Sequence, residues 1–134
     1  MIVVDTSAIV AILRAEPDAH ALARRLSADD RPCMSAGTLL AASIVLRTID
    51  RKTAATADST LDDFISTLKI DVVPVTVELA NRARIAHAKY GKGTGHPAQV
   101  NFGDCFSYAL AKSLDAPLLY KGGDFSKTDI VSAI

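Results

Sequence analysis

The pattern of apolar positions along the chain predicts strands that alternate with helices. Short runs rich in β-branched and aliphatic residues are typical of strands buried on both faces, and they lie at 1–4 (MIVV), 31–35 (RPCMS), 71–75 (DVVPV) and 116–121 (APLLYK). Pro74 indicates an edge strand or a strand end, because proline cannot donate to the hydrogen-bond ladder. Strands separated by helical crossovers predict an α/β fold with a central parallel β-sheet flanked by helices.

Six helices are predicted between these strands, from apolar spacing and from residues that can cap a helix. They are expected at 5–14, 18–28, 36–52, 58–70, 77–90 and 104–114. Ser35, Ser59 and Thr76 are the expected caps of the third, fourth and fifth helices, and Pro17 is expected to open the second. The segment 91–103 is expected to form a loop, and 122–125 a turn.

Composition and charge narrow the classes of protein that remain. The chain has 134 residues, of which 49% are hydrophobic and none is Trp, so we expect one domain, 1–134, with an aliphatic core. Lys and Arg number 15, as do Asp and Glu, so nucleic acid would have to bind a local basic patch. Two cysteines without metal-like spacing predict reduced thiols in a cytoplasmic protein. No apolar run approaches the roughly 20 residues of a membrane helix, so no membrane is expected.

Three aspartates stand where a parallel sheet would gather them. Asp5 follows the first strand, Asp124 follows the last strand, and Asp104 opens the helix that leads into the last strand. Ligands of open α/β sheets bind at the carboxyl ends of the strands. Carboxylates that converge there repel one another unless a cation lies between them, and oxygen ligands favour Mg²⁺ or Mn²⁺. Such a metal activates water and polarises a phosphoryl oxygen, so the chemistry indicated is phosphodiester hydrolysis.

The same aspartates also have purely structural explanations. Asp5 can be a helix N-cap, Asp104 can be a first-turn acid that complements the helix dipole, and Asp124 can be a turn residue. Spacing alone leaves both interpretations open.

Four segments together resemble the PIN-domain ribonucleases, in particular the VapC toxins of toxin–antitoxin pairs. They are MIVVDTSAIVAIL, SAGTLLAASIVL, YGKGTGHPAQVNFGDCFSYALAK and PLLYKGGDFSKTDI, and they cover nearly the whole chain in the family's order. The resemblance implies a PIN-like α/β domain and a Mg²⁺- or Mn²⁺-dependent endoribonuclease. It further implies an RNA substrate, a cognate VapB-type antitoxin and a homodimer.

The resemblance also implies the site residues. Asp5 and Asp104 match the family's catalytic acids and metal ligands, and Asp124 matches the final catalytic acid. Relatives tend to carry Asp or Asn before that final acid, whereas this chain has Gly123. Asp129 is the alternative candidate for the final acid, with a structural role at the C-terminal turn as the competing explanation.

Ala41 is the main departure from the family pattern, since relatives usually carry a metal-ligating glutamate there. The chain is then either a naturally weakened member or an active-site variant made deliberately. A catalytically degenerate PIN domain that binds antitoxin or RNA without cutting is the alternative function. A DNA-directed, flap-type nuclease is a third hypothesis, and the small size argues against it.

A basic segment near Asp104 is the candidate RNA-binding patch. His87, Lys89, Lys92 and His96 would contact phosphates, and Tyr90 would stack on a base. The competing interpretation is an ordinary solvated loop after a helix.

Overall fold

The computed structural model describes residues 1–49, 51 and 53–134. Strands and helices follow one another as β1 (Ile2–Val4), α1 (Thr6–Leu13), α2 (Ala19–Ser27), β2 (Pro32–Ser35), α3 (Ala36–Ile49), α4 (Ala54–Leu68), β3 (Asp71–Val73), α5 (Val77–Tyr90), α6 (Phe102–Leu114) and β4 (Leu118–Leu119). The predicted α/β architecture is therefore confirmed. No helix within the described residues combines the length and the hydropathy that crossing a bilayer requires.

The four strands form one parallel sheet in the order β3-β2-β1-β4. β1 lies inside the sheet, with Val3 aligned to Cys33 on one side and to Leu118 on the other. β3 forms an edge, as Pro74 predicted. The carboxyl ends of all four strands face the same side because every pairing is parallel.

Alternating side chains of β1 reach both faces of the sheet, which explains the uninterrupted apolar run. Ile2 and Val4 belong to a buried cluster with residues of α1, α2, α3 and α4. Val3 belongs to a second buried cluster with residues of α6, together with Phe125. The core is mainly aliphatic, as the composition predicted.

Both cysteines are buried free thiols, and burial raises their pKa values to about 11.

Two predicted helix starts are wrong, and in both cases a residue nearer the N-terminus is the cap. α4 begins at Ala54 rather than Asp58, because Thr53 Oγ1 accepts the Thr56 N–H at 3.1 Å. Ser59 therefore lies inside α4. α6 begins at Phe102 because Asn101 accepts the Asp104 N–H at 2.9 Å. The predicted end of the third helix includes Asp50 and Lys52, which lie outside the described residues.

The packing of α4 onto the sheet can be tested at Leu61, which is fully buried among residues of the larger cluster. We expect Leu61→Ala to lower the free energy of unfolding by about 2–5 kcal/mol, because it leaves a cavity that its neighbours fill only partly. The neighbouring exposed Asp62 supplies the control, and Asp62→Ala should stay within about 0.5 kcal/mol. Urea denaturation measures both, and equal midpoints for the two variants would contradict the burial of α4.

Candidate active site

A cleft of about 720 Å³ opens at the carboxyl ends of β1 and β4, between α1, α3 and α6. Asp5, Asp104 and Asp124 all line this cleft, and so does Ala41. The structure thus brings together the three carboxylates named from the sequence and Ala41, the position at which the resemblance leads us to expect a glutamate.

Asp5 is held by hydrogen bonds to both of its carboxylate oxygens. Oδ2 accepts the backbone N–H of Ser7 at 3.0 Å and the Ser7 hydroxyl at 2.6 Å, which makes Asp5 the N-cap of α1. Oδ1 accepts the Ser107 hydroxyl at 2.6 Å. Ser107 Oγ lies 3.2 Å from Thr38 Oγ1, and both residues are fully buried. Asp5 is only 2% exposed, and its hydrogen bonds hold the carboxylate in one orientation.

Ser7 also connects Asp5 to the segment that follows β4. Its hydroxyl accepts the backbone N–H of Lys121 at 3.0 Å while it donates to Asp5. The sequence did not identify Lys121, Ser107 or Thr38 as site residues. For Ser107 a signal was present, since a position three residues after Asp104 on a helix lies on the same face.

Asp104 is both a capping residue and a wall of the cleft. Its Oδ2 accepts the Asn101 N–H at 3.0 Å, and the Asn101 side chain accepts the Asp104 N–H in return, which forms a capping box. The competing explanations for Asp5 and Asp104 therefore hold at the same time: each caps a helix, and each faces the cleft.

The cleft makes its buried acids harder to ionise. Burial raises the pKa of Asp104 to about 7, and the charges of Asp5 and Asp124 add to the rise. Burial also raises the pKa of Asp5, against the opposing effect of hydrogen bonds from Ser107 and Ser7. Asp124 is exposed at the rim of the cleft. The charged forms of Asp5 and Asp104 are therefore disfavoured unless a cation enters.

The protein's own cation at the cleft is already paired. The Lys121 ammonium forms ion pairs with Glu16 and with Asp18, the latter at 3.2 Å. Glu16 and Lys121 also line the cleft, and neither was named from the sequence.

Asp5 and Asp104 fit a hard divalent cation in donor type. Their oxygens are the kind that Mg²⁺ and Mn²⁺ prefer, and Mg²⁺ is commonly bound through one or two carboxylates and several waters. Across the described residues, no group of three or more His, Cys, Asp and Glu side chains has the geometry to hold a metal ion.

Ala41 occupies the side of α3 that faces α6. Its Cβ lies 3.8 Å from where a Cβ on Gly103 would stand, one residue before Asp104. A longer acidic side chain at position 41 would enter the cleft from α3.

Of the two candidates for the final acid, Asp124 lines the cleft. Asp129 instead accepts the Tyr108 hydroxyl and pairs with Lys112 at 3.0 Å.

The predicted RNA-binding patch lies away from the acids. Lys89, Tyr90, Lys92 and His96 are all described, and none of the four lines the cleft. Tyr90 is only 5% exposed and contacts the rings of His96 and Tyr108 at centroid distances of 4.9 and 5.8 Å. The Tyr90 ring packs into the core, which leaves little of it exposed for the predicted stacking on a base.

Comparison with known proteins gives a consistent picture. The family model described as "PIN domain" matches residues 2–131. Ribonuclease VapC28 of Mycobacterium tuberculosis is 46% identical over 132 residues, which cover 98% of this chain and 97% of the relative. Ribonuclease VapC30 of the same species is 42% identical over 130 residues, which cover 97% of this chain and 96% of the relative.

Solved structures agree in fold. M. tuberculosis VapC20, described as a sarcin–ricin loop cleaving toxin, superposes with a TM-score of 0.74 at 22% identity over 98% of this chain and 97% of that one. VapBC2 of Rickettsia felis, solved bound to a DNA fragment from its promoter, superposes with a TM-score of 0.72 at 16% identity. The match covers 98% of this chain and 96% of that one.

A parallel sheet with acids at the carboxyl ends of its strands, matched by the family model almost from end to end, shows that this chain belongs to the PIN-domain family. Identities above 40% over full-length relatives place it among the VapC ribonucleases of that family. The resemblance named from the sequence is confirmed.

The raised pKa of Asp104 predicts how metal-free stability depends on pH. The folded protein holds this proton up to about pH 7, whereas the ordinary pKa of an aspartate carboxyl is 3.8. Folding therefore binds a proton between these values, and stability should fall as pH rises through about 7. With EDTA present, we expect the Tm to be higher at about pH 5.5 than at about pH 8.

Asp104→Asn tests the cause of this dependence. The amide keeps an acceptor for the Asn101 N–H but carries no charge, so the variant should be more stable than the parent at about pH 8 and its Tm should vary less with pH. Asp62→Asn, at an exposed site on α4, should leave the pH profile unchanged. A parent Tm that rises from pH 5.5 to 8 in EDTA would contradict the burial of charge at Asp104.

Proposed function

We propose that this chain is the toxin of a type II toxin–antitoxin pair and acts as a Mg²⁺- or Mn²⁺-dependent endoribonuclease. The observation that carries the proposal is the convergence of Asp5, Asp104 and Asp124 on one cleft in a member of the VapC ribonucleases. A cytoplasmic location, a homodimer and a cognate VapB-type antitoxin belong to the same proposal. The Rickettsia VapBC2 structure and a toxin–antitoxin complex from Klebsiella pneumoniae share the fold, which supports the antitoxin partner.

The residues of the cleft have distinct roles in this proposal. Asp5 and Asp104 would hold the divalent cation, which when bound lowers the pKa of a coordinated water and polarises a phosphoryl oxygen. Ser7 and Ser107 keep the Asp5 carboxylate in one orientation through their hydrogen bonds. Asp124, exposed at the rim, would orient the water that attacks the scissile phosphate.

Ala41 weakens this machinery in the proposal without removing it. A methyl group replaces one carboxylate, so solvent must fill the ligand position that glutamate takes in relatives. Looser positioning of catalytic groups costs about 10²-fold in rate. We infer a feeble nuclease rather than an inert one.

A second candidate function is a binding module that does not cut. The absence of a three-ligand group among the described residues favours it. In that case a basic segment of an antitoxin would place an Arg or Lys against Asp5 and Asp104, and would neutralise them in place of a metal ion.

Ala41→Glu separates the two functions. We expect it to raise Mn²⁺-dependent cleavage of a broad RNA panel by about 10²-fold over the parent chain, because it restores the missing carboxylate at the wall of the cleft. Adding Asp5→Asn to this variant should abolish the gain. Rates are measured by gel electrophoresis of end-labelled RNA.

The control is Thr48→Glu, which adds the same carboxylate to an exposed position of α3 outside the cleft lining. It should cut no faster than the parent. Equal rates for the parent, Ala41→Glu and the double variant would reject the nuclease proposal and leave the binding module in its place.

A further inference from the structure

Two phenylalanines, one exposed and one partly buried, form a ridge beside the acidic cleft. Phe102 is the first residue of α6 and is 79% exposed, and Phe106 lies one helical turn later. Their ring centroids are 5.1 Å apart, and the ring planes are nearly perpendicular at 88°. We call this pair the aromatic ridge. It lines the acidic cleft on one side and a second groove on the other.

Gly37 fixes the inner ring of the aromatic ridge. A Cβ at Gly37 would lie 2.5 Å from Phe106 Cγ, so the ring rests directly on the backbone of α3. Only glycine permits this approach, because a Cβ at position 37 and the ring of Phe106 would be closer than two carbon atoms tolerate. Phe106 is therefore held in place, and it supports Phe102 through the edge-on contact.

The second groove has a volume of about 410 Å³ and lies between α5 and α6. Small residues Ala80 and Ala83 form part of its wall, and Arg84 and His87 supply basic groups from α5. Among the described residues, no carboxylate contributes to its lining. The aromatic ridge thus separates an acidic cleft from a groove with basic side chains.

We propose that the aromatic ridge is a base-stacking subsite for single-stranded RNA. Phe102 stacks on the base adjacent to the scissile phosphate, and Arg84 and His87 contact the next phosphate along the strand. The inference rests on the proposed function only in taking RNA as the ligand. Of the phosphate contacts predicted from the sequence it keeps only His87, and it moves base stacking from Tyr90 to Phe102.

Charge distribution favours RNA over a protein segment at this surface. A cation between the acids attracts one phosphate, the exposed ring accepts a base, and the basic groove attracts a second phosphate, which matches the repeating order of a nucleic acid strand. Stacking of unpaired bases on aromatic side chains is the common mode of single-stranded RNA recognition. A purely apolar partner would leave Arg84 and His87 without a role.

The test uses a short unstructured RNA that carries 2-aminopurine at one position, moved along the strand in successive oligonucleotides. Stacking quenches 2-aminopurine fluorescence, so it reports contact with a ring directly. Fluorescence is read with Mn²⁺ present and before measurable cleavage, and the parent chain should then quench the probe at one or two positions. Phe102→Leu should abolish the quenching and weaken binding roughly 5- to 150-fold, while Phe102→Tyr should retain both.

Ile85→Ala is the matched control, because Ile85 is 71% exposed on α5 and lies outside both linings. It should bind and quench as the parent does. Arg84→Gln should reduce the slope of log affinity against log salt by about 0.7, the value for one phosphate contact on a single strand, without moving the quenched position.

Three results would overturn the subsite. They are unchanged quenching in Phe102→Leu, an equal loss of binding in Ile85→Ala, or a change of oligomeric state in Phe102→Leu by light scattering with RNA binding intact. The last would show that the ridge is a protein interface. Because binding is measured without cleavage, a failure of the Ala41→Glu assay leaves this test unaffected, and the two proposals can fail separately.

Discussion

The placement of buried carboxylates at the carboxyl ends of a parallel sheet is the constraint on which the rest of the structure depends. Asp5 and Asp104 lie close enough to raise the pKa of Asp104, and burial alone would make both difficult to ionise. The fold compensates with local donors. Ser7 and Ser107 donate to the two oxygens of Asp5, and the Asn101 N–H donates to Asp104. The site is therefore built at a cost to stability, as is usual where function requires charge in a protected place.

The dual use of these acids explains how a small domain maintains such a site. Asp5 caps α1 and Asp104 completes a capping box at α6, so each carboxylate also stabilises the helix that positions it. An acid that lost its place in the cleft would release a helix start as well. The geometry of the cleft and the stability of the starts of α1 and α6 therefore depend on the same two side chains.

Much of the fold could be predicted because its signals are local. Buried parallel strands carry continuous apolar runs, and all four strands were found at the expected places, including the edge strand before Pro74. The helix starts were less well predicted, because Thr53, Ser59 and Asn101 are all acceptable caps by residue type. Which of them caps is decided by where the packed helix begins. Ser59 lies within α4 once Ala57 and Leu61 are buried against the core.

The sequence by itself determined the alternation of strands and helices, the family, and the identity of the acids at 5, 104 and 124, because each depends on residue type and order. The tertiary structure decided which groups meet those acids. Ser107 reaches Asp5 across 102 positions of the chain, and no local pattern encodes that contact. It also decided that Tyr90 is buried while Phe102 is exposed beside the cleft, although both are aromatic residues near Asp104. Burial depends on what packs from distant segments, and that is a property of the folded chain alone.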